Sequence, residues 1–125
     1  MNLKELHTVY FLGVGGIGMS AIARYFQSLG CHVVGYDKTK TILTEKLESE
    51  GVVIHYHEDV DLIPTAVKDK EEGTLVVYTP AIPKINAELI YFQEQSIQLY
   101  KRSEVLGIIS ENYFTIAVAG THGKT

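Results

Sequence analysis

The feature that most constrains the fold is a glycine-rich turn between an apolar run and a helical pattern. Thr8–Leu12 is continuously apolar and ends at a glycine, which predicts a strand buried on both faces. Gly13-Val14-Gly15-Gly16-Ile17-Gly18 follows, and apolar residues then recur at helical spacing as far as Leu29. A strand, a G-x-G-x-x-G turn and a helix in this order predict the first unit of a Rossmann-type nucleotide-binding sheet.

Strand-like and helix-like segments alternate along the rest of the chain. Further strands are predicted at residues 32–36, 52–54, 74–78 and 98–100, and helices at 41–50, 62–70, 86–95 and from 103 to about 110. Asn86 is expected to cap the helix that follows it. The alternation predicts an α/β fold, a Rossmann-like parallel sheet of about five strands with helices on both faces.

Each glycine of the loop has a separate expected role. Gly13 permits a tight turn, Gly15 lets the main chain approach a diphosphate, and Gly18 lets the helix pack closely on the strand. The helix that begins there offers unpaired N–H groups and the positive end of its dipole. The loop therefore predicts diphosphate binding through main-chain amides, although a tight turn without a ligand is the alternative.

An acidic residue ends the second predicted strand. Asp37 follows the loop by about 20 residues, the separation at which an acid meets the ribose or base of a bound nucleotide. Lys38 and Thr39 beside it add a charge and a hydroxyl. Asp37 as a solvated acid or a cap for the next helix is the alternative. NAD, FAD and UDP-sugars all satisfy this pattern.

A second candidate phosphate loop, Gly120-Thr121-His122-Gly123-Lys124-Thr125, follows the apolar run at residues 115–119. In a P-loop the lysine reaches the β- and γ-phosphates and the threonine hydroxyl binds magnesium. Strict Walker spacing needs glycine where Val118 stands, so the loop is a variant, and a flexible tail is the alternative. The expected division is a nucleotide-sugar-binding domain at residues 1–112, with residues 113–125 forming the first strand and phosphate loop of a truncated ATP-binding domain.

Composition excludes several classes of protein. The 125 residues carry a net charge of −4, which argues against a nucleic-acid partner. The one cysteine, Cys31, allows no internal disulfide and is expected to be a packed apolar residue. No apolar run approaches the roughly 20 residues of a membrane helix, so no membrane partner is expected and the location is predicted to be cytoplasmic.

Taken together, these motifs resemble a known family. The glycine loop with Met19-Ser20, the strand end Gly35-Tyr36-Asp37, the loop Thr79-Pro80-Ala81-Ile82 and the final Ala117–Thr125 segment resemble the Mur ligases of peptidoglycan synthesis, in the same order and spacing. The resemblance covers the whole chain, and it is greatest to the members that join L-alanine to UDP-N-acetylmuramate.

The resemblance implies an ATP-dependent, amide-forming reaction in the full-length protein. ATP phosphorylates the lactyl carboxylate of UDP-N-acetylmuramate, and the amine of L-alanine attacks the acyl phosphate. The implied sugar-nucleotide-binding residues are Gly13, Gly15, Gly16, Ile17, Gly18, Met19, Asp37, Thr39, His57, Thr79, Ala81 and Ile82. The implied ATP-binding residues are Gly120, Thr121, His122, Gly123, Lys124 and Thr125, with Thr125 on Mg²⁺.

The missing central and C-terminal domains imply that this chain alone has no catalytic residue, needs no cofactor and is inactive. Three other functions stay open on the sequence. A related recycling ligase adds a whole peptide to the same sugar nucleotide. The first glycine loop alone also fits an NAD-binding oxidoreductase module or a nucleotide sensor without catalysis.

Overall fold

The computed structural model describes the main chain of residues 2–121 and the side chains of residues 2–112. Five parallel strands form one sheet in the order β3-β2-β1-β4-β5. The strands are β1 (Thr8–Leu12), β2 (His32–Tyr36), β3 (Val53–His55), β4 (Thr74–Tyr78) and β5 (Tyr100–Lys101). The predicted α/β class and the parallel sheet of five strands are confirmed.

Within residues 2–121, five α-helices accompany the sheet: α1 (Ile17–Ser28), α2 (Ile42–Ser49), α3 (Thr65–Lys68), α4 (Ala87–Glu94) and α5 (Arg102–Thr121). Short 3-10 helices lie at Leu3–Glu5 and Val60–Leu62. Asn86 caps α4 as predicted, because its side-chain oxygen accepts hydrogen bonds from the N–H groups of Glu88 and Leu89. Thr41 and Thr44 form a reciprocal capping box at the start of α2.

Both faces of the sheet are buried, and alternate residues of each strand feed separate cores. On β1, Val9 and Phe11 join a core with α1, α2 and Val105 of α5. Tyr10 and Leu12 point to the opposite face and pack with residues of α3 and α4. This arrangement follows from the two-residue period of a strand, and it explains why β1 reads as a continuous apolar run.

The strand order places a topological switch point between β1 and β4. The chain moves outward from β1 to β2 and β3, then returns to place β4 on the other side of β1. Leu12 at the end of β1 lies opposite Tyr36 of β2 and Tyr78 of β4. Ligands of open α/β sheets bind where the carboxyl ends of such strands diverge, so the loops after β1, β2 and β4 define the candidate site.

The predicted strand at residues 115–119 is wrong, and so is the helix end near residue 110. The structure continues α5 through Thr121. A strand satisfies its main-chain groups only beside another strand, and no strand of residues 2–121 pairs with this segment. A helix satisfies those groups within itself.

The helix predicted at residues 62–70 is shorter than expected. It divides into the 3-10 helix Val60–Leu62 and the single helical turn of α3, with Pro64 between them. Proline has no N–H and restricts the residue before it to extended backbone, which separates the two turns.

One packing expectation from composition is met within the described residues. Cys31 is buried and its thiol donates to the carbonyl oxygen of Leu6, 3.5 Å away. No helix in the described part of the chain is long and apolar enough to cross a membrane.

Candidate functional site

The first turn of the glycine loop depends on the backbone conformation of Gly13. Its φ angle is +94°, which side chains disfavour. The N–H groups of Gly13 and Val14 both donate to the carbonyl oxygen of Tyr36, at 2.8 and 3.1 Å. A Cβ on Gly13 would overlap the methyl group of Thr79. The loop after β1 is therefore held against the ends of both neighbouring strands.

The loop after β4, residues 79–82, lies directly beside that turn. The N–H of Thr79 donates to the carbonyl oxygen of Leu12 at 3.2 Å. Within the loop, the N–H of Ala81 contacts Oγ1 of Thr79 at 3.4 Å, and the N–H of Ile82 donates to the carbonyl oxygen of Thr79 at 3.1 Å. Thr79, Ala81 and Ile82, expected in one site with Gly13, are brought together with it.

Asp37 holds the middle of the glycine loop. Its Oδ2 atom accepts a hydrogen bond from the N–H of Gly15 at 2.7 Å, and Oδ1 accepts one from the N–H of Thr39 at 3.1 Å. A Cβ on Gly15 would lie 2.7 Å from that same Oδ2 atom. Gly15 is thus needed for close approach, but the group that approaches it here is the Asp37 carboxylate. The amide of Gly15 is consequently occupied.

The amides that follow Gly15 are the ones available to an anion. Within the described residues, the N–H groups of Gly16, Ile17, Gly18 and Met19 have no hydrogen-bond partner, whereas the next amide, Ser20, donates to Gly16. The side chain of Met19 is buried in the core and that of Ile17 is 86% exposed. The first turn of α1 therefore presents main-chain donors and the positive end of the helix dipole at the carboxyl edge of the sheet.

Gly18 has a different neighbour from the one expected. The nearest atoms to a Cβ placed on Gly18 all belong to Arg102: Cδ and Nη1 at 2.9 Å and Nε at 3.0 Å. The close approach at Gly18 is therefore made by a side chain from the first turn of α5, not by a strand. Sequence reasoning missed Arg102. The signal that could have found it is its place directly after the last strand, at the carboxyl edge of the sheet.

His57 is separate from the other predicted site residues. Its side chain is 71% exposed, its Nε2 atom lies 3.5 Å from Oδ2 of Asp59, and its ring packs edge-on against His55. Within the described residues it makes no hydrogen bond or ion pair with the glycine loop. The buried histidine of this segment is His55.

A buried polar cluster, consisting of Tyr10, His55 and Glu88, supports the site from below and was not predicted. The hydroxyl of Tyr10 donates to Oε1 of Glu88. Oε2 of Glu88 lies 2.7 Å from Nε2 of His55 and accepts a hydrogen bond from the N–H of Asp59 at 3.0 Å. Burial, with the Glu88 carboxylate as a second cause, raises the pKa of Tyr10 far above its ordinary value. The carbonyl oxygen of His55 accepts the N–H of Asp37, which links the cluster to the loop.

Most of the second phosphate loop lies outside the described residues. The main chain of Gly120 and Thr121 ends α5, and His122, Gly123, Lys124 and Thr125 are not among the residues that the structure describes. A group of three or more His, Cys, Asp or Glu side chains suited to a metal ion is absent from the described part of the chain.

Comparison with known proteins agrees with this architecture. The profile of the Mur ligase family, catalytic domain, matches residues 8–114. A UDP-N-acetylmuramate–L-alanine ligase from Flavobacterium psychrophilum is 56% identical over 126 residues, covering 100% of this chain and 28% of the relative. The ligase of the same name from Cytophaga hutchinsonii is 50% identical over 125 residues, covering 100% and 27%.

Solved structures show the same fold. The crystal structure of UDP-N-acetylmuramate-alanine ligase from Thermotoga maritima superposes with a TM-score of 0.71 at 27% identity, over 84% of this chain and 23% of that one. A murein peptide ligase from Psychrobacter arcticus gives a TM-score of 0.60 at 21% identity, which shows the fold alone. The chain spans just over a quarter of the length of the curated relatives named above. Because the family profile covers most of its length, this chain belongs to the Mur ligase family.

Proposed function

We propose that the chain is the sugar-nucleotide-binding domain of a cytoplasmic, ATP-dependent ligase that joins L-alanine to UDP-N-acetylmuramate. The observation that carries the proposal is the set of amides from Gly16 to Met19, at the switch point of a parallel sheet, that have no hydrogen-bond partner in the described part of the chain. Relatives that are at least half identical over the full chain carry the name of this ligase, which supports the choice of ligand.

The geometry supports a division of the ligand along the edge of the sheet. The first turn of α1 is suited to the diphosphate, because helix N-termini bind phosphate through main-chain N–H groups. The loop residues Thr79, Ala81 and Ile82 flank one side of that turn, and Asp37 with Thr39 flanks the other. We assign the uridine to these flanking loops.

Asp37 has a modified role in this proposal. Both of its carboxylate oxygens already accept main-chain hydrogen bonds, from Gly15 and Thr39. Each oxygen retains a further acceptor position, which a ribose or base donor can use. Asp37 then orders the loop before the ligand arrives, and this lowers the entropic cost of binding.

The chemistry of the full-length ligase needs more than this domain. A carboxylate oxygen of the sugar attacks the γ-phosphorus of ATP, and ADP leaves. The amine of L-alanine then attacks the acyl carbon, an amide forms and phosphate leaves. Phosphoryl transfer requires positioning of both reactants and neutralisation of charge around the γ-phosphate, for which we assign ATP, Mg²⁺ and the loop at residues 120–125.

We further propose that residues 113–125 belong to the ATP-binding domain, with Lys124 on the phosphates and Thr125 on Mg²⁺. The 125-residue chain alone is then inactive. The test is phosphate release from ATP with UDP-N-acetylmuramate and L-alanine present. Release that depends on both substrates would contradict the proposal.

The binding function is tested by calorimetry of the chain with UDP-N-acetylmuramate, UDP and NAD. Saturable binding of UDP-N-acetylmuramate and UDP, with none of NAD, is the expected result. Binding of NAD with none of UDP-N-acetylmuramate would favour an oxidoreductase module and overturn the proposal.

A further inference from the structure

The side chain of Arg102 reaches from the end of β5 to the start of α1, along the carboxyl edge of the sheet. It is the first residue of α5 and directly follows β5, the last strand in the sheet order. Its side chain extends to the first turn of α1, where Cδ and Nη1 lie 2.9 Å from the position of a Cβ on Gly18. The guanidinium group is thus beside the unpartnered amides of the glycine loop.

The charge of Arg102 is not balanced by any side chain of residues 2–112. Its guanidinium makes no hydrogen bond or ion pair with residues 2–112. By contrast, Nε of Arg24 lies 2.8 Å from Oε1 of Glu50. The acid in the same turn, Glu104, is engaged elsewhere, because its Oε1 atom accepts the N–H of Lys101 at 2.7 Å.

The position is also electrostatically unfavourable for a cation. Arg102 lies at the N-terminus of α5 and against the N-terminus of α1, and both helix ends carry partial positive charge. A guanidinium that has no counter-charge among residues 2–112 and lies beside two positive helix ends raises the local potential. An anion bound between them would relieve that repulsion, and phosphate oxygens match the donor geometry of arginine.

We propose that Arg102 binds the diphosphate of the sugar nucleotide, donating from its guanidinium to phosphate oxygens opposite the amides of Ile17, Gly18 and Met19. The assignment rests on the proposed function and adds a specificity-determining residue from a distant part of the chain. It makes the start of α5 part of the ligand site.

The same geometry requires that position 18 has no side chain. The guanidinium arm occupies the space that any side chain at position 18 would need. A methyl group there displaces the flexible end of Arg102 and leaves the helix intact, since alanine is a better helix former than glycine. Gly18→Ala therefore provides a second way to remove the arginine from the loop.

The test compares UDP and uridine as probes, using NMR titration of the 125-residue chain. Arg102→Gln is expected to weaken UDP binding about tenfold or more, the scale of a charged hydrogen bond, and to leave uridine affinity within about twofold. The UDP affinity of Arg102→Lys is expected to fall between those of Arg102→Gln and the unmodified chain, because lysine keeps the charge but lacks the planar pair of N–H donors. Lys101→Gln removes the same charge one residue away and is the matched control, expected within about twofold for both probes.

A double variant separates a ligand contact from a fold defect. Gly18→Ala and Arg102→Gln remove the same contact, so the double variant is expected to bind UDP within about twofold of Arg102→Gln alone. Unchanged UDP binding by Arg102→Gln, or equal losses for UDP and uridine, would overturn the role of Arg102 and leave the proposed function standing. Failure of the unmodified chain to bind UDP would overturn the proposed function itself.

Discussion

The Nε2 atom of His55 lies 2.7 Å from Oε2 of Glu88, and both side chains are buried beneath the candidate site. Glu88 is 0% exposed, yet each carboxylate oxygen has a donor, because Tyr10 and the N–H of Asp59 complete the arrangement. The contact joins the end of β3 to the start of α4. It also fixes the main chain of His55, whose carbonyl oxygen accepts the N–H of Asp37.

Glu88→Ala is expected to lower the free energy of unfolding by about 3–5 kcal/mol, because it removes one partner from a buried polar pair and leaves donors unsatisfied. Glu88→Gln keeps the shape and one acceptor oxygen, so its cost is expected to be smaller, about 1–3 kcal/mol. Urea unfolding measures both. Glu94→Ala, at an exposed position of the same helix, is the control and should change stability by no more than about 0.5 kcal/mol. Equal stabilities of the three variants would show that the cluster is not stabilising.

The raised pKa of Tyr10 predicts a loss of stability at alkaline pH. Its pKa is raised in the folded chain above the ordinary value of 10.0, first by burial and then by Glu88. The folded state therefore holds the proton more tightly than the unfolded state. The contribution of protonated Tyr10 to the free energy of unfolding is therefore fully present below about pH 10 and is lost as pH rises further.

The Tyr10→Phe variant removes that proton, so its stability should fall less steeply above pH 10, by about 1.4 kcal/mol per pH unit. Urea midpoints at pH 7, 10 and 11 give the slopes. The variant also loses a hydrogen bond to Glu88, which lowers stability at every pH and leaves the slope comparison valid. Tyr91→Phe is the matched control. Identical slopes for Tyr10→Phe and the unmodified chain would contradict the assignment.

Local pattern was sufficient to predict the sheet and its first loop. The apolar run at Thr8–Leu12, the glycine spacing after it and the helical period to Leu29 each depend on neighbours in sequence. Asp37 was expected at the site from its spacing after that loop, and residues 79–82 from the resemblance to the Mur ligases. The structure has both at the same edge of the sheet.

The missed features depend on contacts between distant segments. Glu88 reads as a favourable acid in the first turn of a helix, and only the packing of Tyr10 and His55 around it shows that it is buried. Arg102 reads as a surface charge, because its approach to Gly18 requires the sheet order. The apolar run at residues 115–119 satisfies strand and helix patterns alike, and pairing partners decide between the two.

Gly13→Ala is expected to lower the free energy of unfolding by roughly 2 kcal/mol or more. Alanine is strained at a φ angle of +94°, and its methyl group would overlap Thr79. Gly107→Ala is the matched control, since Gly107 lies in α5 with no atom within 4 Å of an added Cβ. That change should raise stability by roughly 0.5–1 kcal/mol. Thermal or urea unfolding checks the pair, and a neutral Gly13→Ala would show that the turn adapts to a side chain.

Asp37→Ala tests whether the carboxylate orders the loop before the ligand binds. The change removes the acceptors for Gly15 and Thr39, so the free energy of unfolding should fall by about 1–3 kcal/mol without any ligand. UDP binding should weaken by about 1–2 kcal/mol as well, because a loop that is less ordered costs more entropy to fix. Asp37→Asn keeps one acceptor oxygen, so its stability and its UDP affinity should lie between those of Asp37→Ala and the unmodified chain.

Asp61→Ala, at an exposed acid whose carboxylate accepts no hydrogen bond from residues 2–112, controls for lost charge. A variant with weakened UDP binding and full stability would mean that Asp37 acts on the ligand alone. Full stability and full affinity together would remove Asp37 from the site.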